Sequence, residues 1–74
     1  MRVPEALENR VRHYRDLRGW TQAQLAEVMG VSRKTVNTVE NGVFYPSVIS
    51  ALKFAAALGQ PVEELFQLVE ETDT

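Results

Sequence analysis

Thr21–Gly42 reads TQAQLAEVMGVSRKTVNTVENG, two short runs of helical periodicity on either side of Gly30-Val31-Ser32. Thr21 and Gln24 have the spacing of a capping box. The Thr21 hydroxyl can accept from the backbone N–H of Gln24, and the Gln24 side chain can reach back. Leu25, Ala26 and either Val28 or Met29 supply a buried side. Gly30 falls where a helix ends in a left-handed residue. Ser32 is a good N-cap for a second helix, which is expected to run to about Glu40. Val31, Val36 and Val39 face inward, and Asn41-Gly42 closes the run. A connection this short sets two helices at a steep angle, so that the second projects its outer face.

That outer face carries Arg33, Lys34, Thr35, Asn37 and Thr38 and no apolar residue. Taken singly, each is an ordinary solvated side chain. Taken together, they suit a DNA groove. Arg and Lys can donate to guanine O6 and N7, Asn pairs well with adenine, and a Thr methyl can meet the thymine methyl. The helix N-terminus at Ser32 points free N–H groups outward, which suits a phosphate. Thr21, Gln22 and Asn41 sit at helix ends, where polar side chains and backbone N–H groups commonly hold phosphates.

The remainder of the chain fits one small domain. Its 74 residues contain 45% hydrophobic and 24% charged side chains, an ordinary globular composition. There are no cysteines and one histidine, which excludes disulfides and cysteine-ligated zinc. No metal or cofactor site and no small-molecule effector site is expected. The N-terminus MRVPEALENR has no apolar run, so no signal peptide or membrane anchor is expected and a cytoplasmic location is. The net charge of −2 is unevenly spread. All eight Lys and Arg lie in residues 1–60 with five acids, leaving +3; residues 61–74 hold five acids and no base, giving −5. A basic body with an acidic tail suits a DNA face at one end.

Glycines and prolines divide the chain into five helical pieces. The first helix is expected from about Glu5 to Arg18, with Leu7, Val11, Tyr14 and Leu17 on one face. The fourth follows Pro46, with Ser47 as cap and Val48, Ala51, Leu52, Ala55 and Leu58 as core. The last begins at Pro61 and uses Val62, Leu65 and Phe66. Residues 65–70 fit either a helix stripe or a short strand.

The ordered set Thr21-Gln22, Leu25-Ala26, Gly30-Val31-Ser32, Val36 and Glu40-Asn41-Gly42 resembles the helix-turn-helix of the Cro/C1 phage repressors, the xenobiotic-response-element type. The resemblance extends to Arg15, Gly19, Pro46-Ser47 and Gly59…Glu64-Leu65-Phe66, and so covers about residues 9 to 67. It implies an all-α, compact five-helix domain of the lambda-repressor type, with or without a short C-terminal strand. It also implies a DNA-binding regulator without enzymatic activity. By that resemblance, Gln22 is expected to contact a phosphate while steadying the third helix. Arg33, Lys34 and Thr38 are expected to read bases with Asn37 beside them, and Thr35 and Asn41 to hold backbone. Arg15 and Glu40 match a charged pair that ties the first helix to the end of the third. The base-reading positions vary most within the family, so the operator stays open.

Three features depart from the family pattern, one being Trp20, which stands where the family has a large aliphatic and is expected in the core rather than stacked on a base. Val43-Phe44-Tyr45 replaces polar or basic residues after Gly42, and Ile49 stands where a charge is common. Either Phe44 and Tyr45 tuck onto the core or they form a partner surface. Domains of this kind usually bind as two-fold dimers, and the expected self-association segment is residues 61–74. Two rival readings remain. In one, the chain is a protein-binding adaptor or antitoxin-like module that uses Val43–Ile49 or the tail. The other is an enzyme built on His13 and Asp16, for which there is no nucleophile signature and no phosphate loop.

Overall fold

Asn9 sets where the chain becomes helical. Its Oδ1 accepts from the backbone N–H of Val11 at 3.3 Å, and its Nδ2 donates to the Val39 carbonyl at 2.9 Å. The computed structural model describes residues 6–69. Ahead of that turn lies a strand, β1 (Ala6–Asn9), and after it a helix, α1 (Val11–Leu17). Then follow α2 (Gln22–Met29), α3 (Arg33–Glu40), α4 (Val48–Leu58), the single turn α5 (Val62–Leu65) and β2 (Phe66–Val69).

β1 pairs with β2 antiparallel, in the register Ala6↔Val69, Leu7↔Leu68, Glu8↔Gln67 and Asn9↔Phe66. The Arg10 N–H continues the ladder to the Leu65 carbonyl at 2.8 Å. This corrects the expected first helix, which begins at Val11 rather than near Glu5; Glu5 itself lies outside the described residues. A first helical turn leaves four N–H groups without intrahelical partners, whereas pairing across the chain gives Ala6–Asn9 a ladder. Leu7 therefore sits opposite Leu68, and Leu17 is exposed. The buried side of α1 is instead Val11 and Arg15, with Tyr14 packed against the core.

The core is Val11, Leu25, Ala26, Met29, Val36, Val39, Phe54, Leu58 and Leu65. Of the two candidates in α2, Met29 is the buried one and Val28 is exposed. Phe54 is fully buried and meets Phe66 edge to face, with ring centroids 5.9 Å apart. Trp20 packs against the core as a half-buried side chain, and the Arg18 guanidinium lies over its ring at 5.2 Å.

The core side of α4 differs from the expected one. Leu58 is buried and Ala55 is packed on the core, but Val48 and Leu52 are exposed and Phe54 takes their place. The sequence VISALKFAAAL is apolar nearly all round, so more than one face fits a core. Phe54 is the largest of the fully buried side chains among the described residues, and α4 is rotated so that it faces the core. Val48, Ile49 and Leu52 then point roughly 120–220° away at 100° per residue.

A polar clamp joins α1 and its N-cap residue to α5. Glu64 accepts from the Tyr14 hydroxyl at 2.7 Å and from Arg10 at 3.0 Å. The Tyr14 bond, with the Arg10 charge beside it, holds the Glu64 carboxyl below the usual carboxylate range. The same bond raises the Tyr14 phenol. No helix among the described residues is long and apolar enough to cross a membrane.

Candidate nucleic-acid interface

The α2–α3 pair is built by local signals that the sequence carries openly. The Thr21 hydroxyl accepts from the Gln24 N–H at 3.1 Å, and Gln24 Oε1 accepts from the Thr21 N–H at 2.8 Å, completing the capping box. Gly30 closes α2 at φ +72°, a conformation that costs a side chain with Cβ. With Gly30 in place, the Val31 N–H reaches the Ala26 carbonyl at 3.0 Å and the Gly30 N–H reaches Glu27 at 3.1 Å. That pair of bonds is a Schellman closure, and it turns the chain sharply into α3. The Ser32 hydroxyl then accepts from the Thr35 N–H at 3.2 Å and caps the new helix.

Val36 and Val39 bury the inner side of α3. Glu40, at its last turn, faces inward as well, with its side chain 2% exposed. Its Oε2 accepts from Arg15 Nε at 2.7 Å and its Oε1 from Arg15 Nη2 at 3.1 Å. This two-pronged geometry is the strong form of an arginine–carboxylate pair, and it raises the Arg15 guanidinium further above its ordinary range. Arg15 Nη1 also donates to the Trp20 carbonyl at 2.8 Å. The one acid of α3 is thus neutralised on the inside. The outer face keeps only Arg33 and Lys34 as charges, both exposed.

Gln22 Nε2 donates to Glu40 Oε1 at 3.1 Å. The side chain at the start of α2 is therefore tied to the end of α3, the steadying contact expected of it. One amide hydrogen and the amide oxygen stay open. The Thr21 hydroxyl is used as an acceptor by the cap, and its proton remains free to donate outward.

The polar residues of α3 are also oriented by the helix itself. Thr38 Oγ1 lies 2.9 Å from the Lys34 carbonyl and 3.2 Å from that of Thr35. Its single proton is spent on the helix, which leaves the methyl group and an acceptor lone pair for other contacts. Asn41 Nδ2 donates to Asn37 Oδ1, one turn earlier, so the two amides brace each other. Ser32 and Thr35 join hydroxyls at 3.0 Å. These internal bonds were not foreseen from the sequence, although the i, i+3 and i, i+4 spacings that permit them are visible there. The structure gathers Arg33, Lys34, Thr35, Asn37, Thr38 and Asn41 on α3 or its cap. Thr21 and Gln22 stand at the start of α2, and Gln22 is joined to α3 through Glu40.

Comparison with known proteins gives the same picture. A family profile described as helix-turn-helix matches residues 11–65. The HTH-type transcriptional regulator YgzD of Bacillus subtilis is 38% identical over 65 residues, which is 88% of this chain and 98% of that protein. Among solved structures, the restriction-modification controller protein C.AhdI from Aeromonas hydrophila is 36% identical. It superposes with a TM-score of 0.71 over 74% of this chain and 83% of its own. SinR, the master regulator for biofilm formation, known from Bacillus subtilis and solved in complex with DNA, is 29% identical. Its TM-score is 0.69 over 73% of this chain and 87% of its own. A capped α2, a glycine-closed turn, a polar α3 and the family match over residues 11–65 agree: this chain belongs to the Cro/C1-type helix-turn-helix family of DNA-binding transcriptional regulators.

Proposed function

We propose that the protein is a sequence-specific repressor that lays α3 in the major groove of double-stranded DNA and acts as a homodimer on a two-fold symmetric operator. The carrying observation is the charge division of α3. Its acid is buried against Arg15, while Arg33 and Lys34 stand exposed on a face that holds no carboxylate. Such a face approaches phosphate without repulsion and offers donors to base edges. Arg33, Lys34, Asn37 and Thr38 read bases in this arrangement. Thr21, Gln22, Ser32, Thr35 and Asn41 hold the backbone and set the register. Two copies with their α3 helices about 34 Å apart span one turn of duplex. A dimer of that width represses by occupying the site, with control through its own concentration.

A second reading, a protein-binding adaptor or antitoxin-like module, draws on the exposure of Val43, Phe44, Tyr45 and Ile49.

The test is a pair of substitutions read by fluorescence anisotropy on a preferred duplex and on a scrambled one. Arg33→Ala is expected to cost about 1–3 kcal/mol on the preferred duplex and to relax base choice at one position. Gln22→Ala is expected to weaken both duplexes by the same factor. An Arg33→Ala protein with unchanged base preference would show that α3 is not the reader.

A further inference from the structure

We infer that a second copy of this chain covers the exposed apolar face formed by the α3–α4 loop and the outer side of α4. The inference rests on the homodimer reading above and gives it an interface. Val43, Phe44 and Tyr45 in the loop and Val48, Ile49 and Leu52 on α4 are 56–76% exposed. The alternative in which Phe44 and Tyr45 fold onto the core is not realised. Summed over these six whole residues, the exposed area is on the order of 700 Å², against the ~300–600 Å² of the largest patch on a typical monomer. That area approaches the ~800 Å² that each partner contributes to a stable interface.

The chemistry of the face selects its occupant. From Asn41 to Leu52 the chain carries no charged residue at all. In a two-fold interface a surface meets its own copy, so any charge near the axis faces its like. A twelve-residue neutral stretch, in a chain that is otherwise 24% charged, meets that condition. A partner recognised by charge finds nothing to pair with here. The rotation of α4 contributes as well, because burying Phe54 leaves Val48, Ile49 and Leu52 as a second apolar side next to the loop.

The face is coupled to the reading helix. The N–H groups of Val43 and Phe44 both point to the Thr38 carbonyl, at 2.9 and 3.4 Å, so the loop is fastened to the last turn of α3. Gly42, at φ +70°, makes that return possible. A contact through the loop therefore fixes the pose of α3 in one copy against α3 in the other. Of the tail expected to self-associate, residues 70–74 lie outside the described residues, and residues 61–69 offer less. One edge of β2 is already taken by β1 of the same chain, and Leu68 is the exposed large apolar side chain on that strand.

Analytical ultracentrifugation of the full chain, free and on a two-fold duplex, tests this. Wild type is expected at twice the 8.4 kDa chain mass. Ile49→Glu and, independently, Val48→Lys place like charges across the axis and are expected to give the single-chain mass with unchanged helical circular dichroism. Leu68→Glu, on the tail, is expected to keep the doubled mass. On DNA, Ile49→Glu is expected to lose at least tenfold in affinity on the two-fold site. Two patch variants that stay doubled while Leu68→Glu becomes single would move the interface to the tail and overturn the inference, leaving the homodimer intact. Wild type at single-chain mass both free and on DNA would overturn the homodimer reading with it.

Discussion

Glu40→Ala tests how the interface is held in place. Glu40 receives three N–H donors: Arg15 Nε at 2.7 Å, Arg15 Nη2 at 3.1 Å and Gln22 Nε2 at 3.1 Å. Charge-assisted bonds contribute about 1.5–3 kcal/mol each, so a simple sum reaches roughly 4.5–9 kcal/mol. The true cost is smaller. Arg15 keeps the Trp20 carbonyl at 2.8 Å and Asp16 at 3.3 Å, and water can enter the space left behind. Breaking one partner of a buried pair typically costs about 3–5 kcal/mol, and the lower half of that range fits the contacts Arg15 retains. A chain of 74 residues has a total stability of about 4–11 kcal/mol at ~0.05–0.15 kcal/mol per residue. At about 4–8 °C per kcal/mol, the midpoint is expected to fall by roughly 12–30 °C. Urea and thermal unfolding followed by circular dichroism measure it. Arg15→Met combined with Glu40→Met removes both charges together and is expected to regain most of the loss. A Glu40→Ala cost under about 1 kcal/mol, or a double variant as unstable as the sum of the singles, would refute the idea that an uncompensated buried guanidinium dominates.

Two further outcomes follow from the packing and the clamp. Phe54→Ala empties the centre of the core, is expected to cost about 3–5 kcal/mol, and is read by urea denaturation. The Glu64 carboxyl is lowered in the folded chain, chiefly by the Tyr14 hydroxyl, so its contribution is complete above the unfolded glutamate pKa of about 4.3. That contribution is lost as pH falls through the lowered folded value. Glu64→Gln is expected to flatten the decline of melting temperature with acid over that window, and Tyr14→Phe to reduce it.

The helix-turn-helix was legible in the sequence because its signals are local. A cap at Thr21, a left-handed glycine at position 30 and a cap at Ser32 each depend on neighbours within one turn. The buried Arg15–Glu40 pair was legible only through resemblance, since nothing in the spacing of two charges 25 residues apart brings them together. The strand at Ala6–Asn9 was hidden for a similar reason. Leu7 fits a helical stripe with Val11 as well as it fits a place opposite Leu68, and its real partner lies at the other end of the chain. The outer side of α4 failed differently. Its apolar residues exceed what one core can cover, and periodicity alone does not say which side is left over. Among the described residues, that surplus apolar side is the surface from which a second copy is inferred.

Selection of bound sequences from random duplex DNA bears most directly on α3 as one half of a two-fold reader. The expected result is a pair of inverted half-sites with centres about 34 Å apart, in which Arg33→Ala blurs the same position of both halves. Recovery of sequences with no common base preference, or of a single half-site that Arg33→Ala leaves unchanged, would contradict it.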